Sequence, residues 1–178
     1  MKNLDPLDVE ILTLMQLDGR ASMAEIGGKI GLSPSAVTRR LEKLEGDRVI
    51  LGYTALVNHK AVGLRMTAFV TVTLTKQSED VIDAFEKAIV SLPEVAEVHL
   101  MAGSTDYLLR VISTDLEAYE SFLKRRLTRL RGVAHVQSAF SLSSLKTVAS
   151  APLTHLIKSK GASARARHRE GTAAIIRS

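Results

Sequence analysis

The stretch SMAEIGGKIGLSPSAVTRRLEKLE, residues 22–45, decides how the first third of this chain folds. Ser22 stands three residues before Glu25, the spacing of a capping box, in which a hydroxyl and a carboxylate each satisfy a backbone N–H left free at a helix start. Ile26 and Ile30 then face inward. Gly27 and Gly28 each weaken this helix by up to about 1 kcal/mol relative to Ala, so a small residue here marks the close approach of a neighbouring element. Gly31-Leu32-Ser33 reads as a turn. Ser33 caps a further helix and Pro34 takes its first position, where a missing N–H costs nothing. Leu32 and Val37 are spaced as a hydrophobic staple. Val37, Leu41 and Leu44 form the buried stripe, which leaves Ser35, Thr38, Arg39 and Glu42 on the opposite side.

Upstream, Asp5 and Pro6 open another helix with Leu4 and Val9 as its staple. Leu7, Ile11 and Leu14 form its apolar stripe, Leu12 and Met15 widen it, and Gly19 stops it. Three capped helices joined by short turns predict a helix-turn-helix, whose last helix enters the DNA major groove N-terminal end first. Short polar side chains at that end, with free N–H groups suited to phosphate oxygens, are what such docking needs. Ser33, Ser35, Thr38 and Arg39 at the leading end, followed by Arg40 and Lys43, are the candidate DNA contacts, with Ser22 beside the DNA backbone. The alternating segment Val49–Val57, which contains Gly52, reads as a strand leading out of the unit and makes it a winged helix-turn-helix.

Beyond residue 62 the period changes. Met66–Leu74 is β-branched and alternating, a strand. Glu79–Leu92 reads as a helix with Val81, Phe85, Ala88 and Leu92 inward. Val95–Met101 and Tyr107–Ile112 read as strands joined by the turn Gly103–Asp106. Thr114 and Glu117 have capping-box spacing and open a helix with Leu116, Tyr119, Leu123, Leu127 and Leu130 inward. A last strand runs over Val133–Leu142 and resumes near Leu145. Leu92-Pro-Glu-Val-Ala-Glu-Val-His99 matches Leu130-Arg-Gly-Val-Ala-His-Val-Gln137, an internal repeat in which each copy closes a helix and opens a strand. Two such units in tandem predict the ferredoxin-like βαββαβ arrangement, so the chain as a whole is α+β. Two helices cover only one face of such a sheet. The strands are apolar on both faces, with Phe69 on one side and Ala68, Val70 and Val72 on the other, so the open face is expected to pack on a second copy.

Charge adds a separate clue. Of 24 basic and 19 acidic residues, six and one stand from Thr154 onward, leaving 18 of each in residues 1–153. The body is neutral, and the DNA-binding reading rests on local arrangement rather than net charge. The basic stretch has no sustained apolar period, with Ala173–Ile176 as its one apolar patch, and is expected to be disordered. The domains are thus expected at 1–62, 63–153 and 154–178. With no Cys, disulfides and thiolate chemistry are excluded. No signal peptide or apolar run of membrane-spanning length is visible, which predicts a cytoplasmic protein without a membrane partner. The five His residues lack metal-ligand spacing, and no nucleophile signature or phosphate loop occurs, so no catalytic residue, metal or cofactor is expected.

Residues 26–45 followed by Gly52-Tyr53-Thr54-Ala55 resemble the Lrp/AsnC (feast/famine) regulators. So do Leu4-Asp5, Asp8, Ile11-Leu12 and Asp18-Gly19-Arg20 before them, and Val98-His99-Leu100, Gly103 and Asp106-Tyr107-Leu108-Leu109 in the second half. Pro152-Leu153 fits as well, so the resemblance covers residues 4–153. It implies a transcription regulator that binds double-stranded DNA and senses an amino acid through its βαββαβ domain. It also implies self-association as a dimer or as an octamer of four dimers, with effector bound between dimers. By resemblance, Met101, Gly103, Thr105 and Asp106, with the strand around Ser138 and Phe140, would line that pocket, Asp106 supplying a carboxylate for an ammonium group. Three features depart from the pattern: Arg48 and Gly27 stand where Gly and Ala are usual, and the basic tail is not a family feature. Two other readings share the scaffold. A sirohaem-decarboxylase-like enzyme would need a haem-sized basic cavity with catalytic His residues. An amino-acid-sensing partner protein would use its helix-turn-helix for protein contacts only.

Overall fold

The computed structural model describes residues 4–146 and 150–156, which form two compact units. The first contains helices α1 (Pro6–Leu17), α2 (Met23–Ile30) and α3 (Pro34–Gly46) together with the C-terminal residues 150–156. The starts are set by the expected side chains. Ser22 Oγ accepts from the Glu25 N–H at 3.2 Å, and Glu25 Oε2 accepts from the Ser22 N–H at 2.7 Å. Asp5 and Asp8 make a second reciprocal pair at α1, and Ser33 Oγ accepts from the Ala36 N–H. Ile11, Leu12, Ile26, Val37, Leu41 and Leu44 form the core.

The strand expected over Val49–Val57 is not formed, and among the described residues the helical unit has no wing. Leu51, Tyr53, Leu56 and Val57 are exposed. A strand exists only as one side of a hydrogen-bonded ladder, and the single chain offers this segment no partner. The C-terminal residues return to the helices instead. The Ala151 N–H and carbonyl both engage the Gln16 side chain, and Leu153 packs against the helical core. Thr154–Leu156 form a helical turn, while the rest of the stretch expected to be disordered lies outside the described residues.

The second unit spans residues 56–146. It holds β1 (Met66–Leu74), α4 (Glu79–Ile89), β2 (Val95–Leu100), β3 (Tyr107–Ser113), α5 (Leu116–Arg125) and β4 (Val133–Phe140). The four strands are ordered β2-β3-β1-β4 and pair antiparallel, the βαββαβ arrangement read from the repeat. The two repeat copies also behave alike: the Val95 N–H donates to the Leu92 carbonyl, and the Val133 N–H to that of Leu130. One sheet face carries Ala68, Val70, Val72, Leu109 and Val111, all buried against Phe85, Ile89, Tyr119 and Phe122. The other is open and carries Phe69, Thr71, Leu108, Arg110 and Ile112.

Three details of this unit differ from expectation. The cap of α5 is Asp115, whose carboxylate accepts from the Ala118 N–H at 2.8 Å while the Thr114 hydroxyl donates to it. Leu116 is 61% exposed, and Phe122 takes the inward place. Among the described residues no strand resumes near Leu145, and Leu142 and Leu145 are fully exposed.

Candidate nucleic-acid interface and effector site

Helix α3 presents one apolar and one polar side. Val37, Leu41 and Leu44 are buried, whereas Ser33, Ser35, Thr38, Arg39 and Lys43 are exposed, as is Ser22 at the start of α2. At the leading end Ser33 Oγ lies 3.2 Å from Ser35 Oγ, and the Thr38 hydroxyl donates to the Pro34 carbonyl at 3.0 Å. Among the described residues no hydrogen bond or ion pair engages the side chains of Arg39 or Lys43. The adjacent Arg40 differs. Its Nη1 donates to Asp5 Oδ2 and Asp8 Oδ1, both at 2.6 Å, and the side chain is only 27% exposed. Arg40 therefore ties α3 to the first turn of α1, a bracing contact that Arg39 and Lys43 lack. Partial burial raises the Asp5 pKa, but the Arg40 hydrogen bond and the backbone N–H groups outweigh this and hold it below the ordinary value.

Two departures in the sequence acquire physical reasons. A Cβ on Gly27 would sit 2.3 Å from the Leu32 carbonyl oxygen, so the turn between α2 and α3 folds tightly back on α2. Arg48 has φ 56°, the conformation in which glycine is at ease. There the Arg48 N–H donates to the Glu45 carbonyl and the Val49 N–H to the Leu44 carbonyl, each at 2.8 Å, closing α3 with a Schellman motif.

In the sheet unit the expected effector residues fall into two groups. Met101, Gly103, Thr105 and Asp106 lie in the β2–β3 connection, with Met101 and Gly103 exposed. Asp106 is more constrained than the sequence suggested. Its Oδ2 accepts from the Leu74 N–H and its Oδ1 from Gln77 Nε2, both at 2.7 Å, while its own N–H donates to the Val72 carbonyl. Its carboxylate thus clasps the end of β1, a contact that the sequence reading did not foresee. Ser138 and Phe140 form the other group. They lie opposite Val70 and Ala68 on β1, whereas Asp106 lies at Leu74. At ~3.4 Å per residue this is a separation of roughly 14–20 Å along the strand, so one chain does not bring the two groups into one pocket. Ser138 and Phe140 meet at Tyr119, which sequence reading placed only in the core. Its hydroxyl bonds Ser138 Oγ, and its ring stands edge-on to Phe140, with centroids 5.2 Å apart. The available signal was a hydroxyl, Ser138, in phase with Val136 on the helix-covered face, where a polar partner is required.

The comparisons with known proteins agree with both halves of this geometry. Residues 4–45 match the family model of the AsnC-type helix-turn-helix domain, and residues 67–150 match that of the Lrp/AsnC ligand binding domain. The chain is 40% identical over 153 residues to the Bkd operon transcriptional regulator of Pseudomonas aeruginosa, covering 86% of this chain and all of that one. This chain belongs to the Lrp/AsnC family. It is likewise 37% identical over 145 residues to the leucine-responsive regulatory protein of Escherichia coli, covering 82% and 88% of the two chains. Among solved structures it is similar to a Neisseria meningitidis transcriptional regulator in complex with L-Met, with TM-score 0.83 and 35% identity over 86% of this chain and 99% of that one. An AsnC family regulator from Agrobacterium tumefaciens aligns at TM-score 0.81 and 34% identity, covering 85% and 99%. As an Lrp/AsnC protein the chain is a DNA-binding transcriptional regulator with a ligand-binding domain. The relatives are regulators, and the decarboxylase reading of the scaffold falls away.

Proposed function

We propose that this protein reads a specific DNA site through α3 and that an amino acid bound to its sheet unit modulates the binding. The observation that carries the reading is the polar side of α3, where Ser35, Thr38, Arg39 and Lys43 are exposed opposite a fully buried stripe. Arg39 is suited to bidentate contact with a guanine edge, Ser35 and Thr38 to bases or phosphates. An amino-acid effector is supported by the similar Neisseria regulator that binds L-Met. Self-association is supported by the open sheet face and by the separation of Gly103–Asp106 from Ser138 and Phe140, which different copies would bring together. Paired heads suit a pseudo-palindromic site. Among the described residues no helix is long and apolar enough to cross a membrane, in keeping with a cytoplasmic regulator.

The test is a gel shift on DNA upstream of the protein's own gene, with and without a panel of amino acids including Met and Leu. A shift that one amino acid alters is the expected result. No shift at low salt removes the reading. Arg39→Ala is expected to lower specific affinity by one to two orders of magnitude, the equivalent of about 1–3 kcal/mol, with oligomer mass unchanged. Equal affinity would remove Arg39 from the interface.

A further inference from the structure

A single side-chain nitrogen joins the start of α1 to the middle of α3. Asp5 Oδ1 accepts from the Asp8 N–H at 2.9 Å, and Asp8 Oδ2 accepts from the Asp5 N–H at 3.2 Å. Each carboxylate thus uses one oxygen to cap its own helix. The other oxygens, Asp5 Oδ2 and Asp8 Oδ1, both accept from Arg40 Nη1 at 2.6 Å. Asp8 is only 3% exposed. A buried carboxylate is costly unless a cation and hydrogen bonds match it, so Arg40 is the partner that Asp8 requires. Arg39, one residue earlier, is exposed, and among the described residues no hydrogen bond or ion pair engages its side chain.

We propose that Arg40 is a positioning residue for DNA reading: held between Asp5 and Asp8, it fixes the rotation of α3 about its own axis and so aims Ser35, Thr38 and Arg39, without itself touching DNA. The buried stripe of Val37, Leu41 and Leu44 holds α3 down, but apolar contact is non-directional. Charge-assisted hydrogen bonds are directional and strong. The difference matters at the groove. Side chains reach roughly 6 Å from a helix axis, so a roll of ~15° moves their ends by ~1.5 Å, whereas a recognition site must hold its geometry to about 0.5 Å. The brace therefore acts on discrimination between sequences. A phosphate contact by Arg40 would instead raise affinity for every duplex alike. The proposal rests on DNA reading by α3, and its test separates the two.

The experiment measures affinity by fluorescence anisotropy over a potassium chloride series, for the upstream DNA and for a random duplex of equal length. It compares the full chain with its Arg40→Gln, Asp8→Asn and doubly substituted forms. The readout is the ratio of the two affinities, which a mere loss of folded protein does not move because it lowers both alike. Each single variant is expected to lower the ratio about tenfold, the scale of one good base contact. The double variant should fall no further than the worse single one, since both substitutions break the same brace. The slope of log affinity for the random duplex against log salt should stay at its wild-type value. A wild-type ratio in either folded single variant would overturn the proposal while leaving α3 in place. So would a slope that flattens by about 0.9 in Arg40→Gln, the mark of a lost phosphate contact, or a double variant whose loss is the product of the two. If the full chain binds neither duplex at low salt, both readings fall. Where circular dichroism shows Arg40→Gln or Asp8→Asn misfolded, Asp5→Asn decides alone. Asn keeps the cap acceptor for the Asp8 N–H but turns an amide donor towards Arg40. A ratio lowered at least threefold supports the brace, and a smaller change overturns it.

Discussion

Arg48 holds a left-handed conformation at the end of α3, which costs an L-residue roughly 1–2 kcal/mol. Glycine avoids that strain but loses about 0.5–1 kcal/mol in chain entropy on folding. The strain is the larger quantity, so Arg48→Gly is expected to stabilise the protein by about 0.5–1 kcal/mol, read as a rise in Tm. A fall in Tm would show that the Arg48 side chain contributes more than its backbone costs. The departure at Arg48 was legible in the sequence, but the backbone angle was not. Nor was the fate of Arg40. Arg39 and Arg40 are neighbours of equal charge in the middle of α3, and the 100° turn between them sends one to solvent and the other to two carboxylates at the start of α1. Only the packing of one helix on another distinguishes them, and packing is not written locally.

Caps were the most readable part of the elements, because a cap is a contact between residues three apart. Ser22 with Glu25, and Asp5 with Pro6, start α2 and α1 as expected. The cap of α5 stands one residue later than the spacing predicts, where Asp115 outcompetes Thr114 because a carboxylate is the stronger acceptor. The α1 cap yields a pH prediction. Asp5 has a depressed pKa, so its contribution to stability is present above its ordinary value of 3.8 and is lost as pH falls through the lower folded-state value. At pH 7, Asp5→Asn is expected to lower Tm slightly, because so exposed a pair contributes under about 1 kcal/mol of stability. The gap to wild type should close as the pH falls below that ordinary value of 3.8, and a gap that stays constant as the pH falls would exclude the charge as its source. In the sheet unit, Asp106→Ala strips the Leu74 N–H of its acceptor and is expected to cost about 1–3 kcal/mol. Thermal melts with and without amino acid test this. A loss of response with unchanged Tm would restore Asp106 to the ligand rather than to the clasp on β1.

The fold of each unit follows from pattern: three capped helices in one, a repeated helix-to-strand step in the other. What did not follow needs a second copy or a distant segment. The stretch Val49–Val57 carries a strand's alternation, yet the lone chain provides no ladder for it. The expected effector residues divide between two places along β1, so a pocket that uses both draws on more than one chain. The open face that carries Phe69 is the surface through which copies are expected to join, and a buried charge there is prohibitive without a partner. Phe69→Glu should therefore reduce the assembly to a smaller species in analytical ultracentrifugation at micromolar concentration, and an unchanged mass would move the contact elsewhere. The return of Ala151–Leu156 to the helices has one more consequence. Residues synthesised after the entire sheet complete the unit that reads DNA. During translation the helical unit therefore gains these last contacts only after the whole sheet unit has been made.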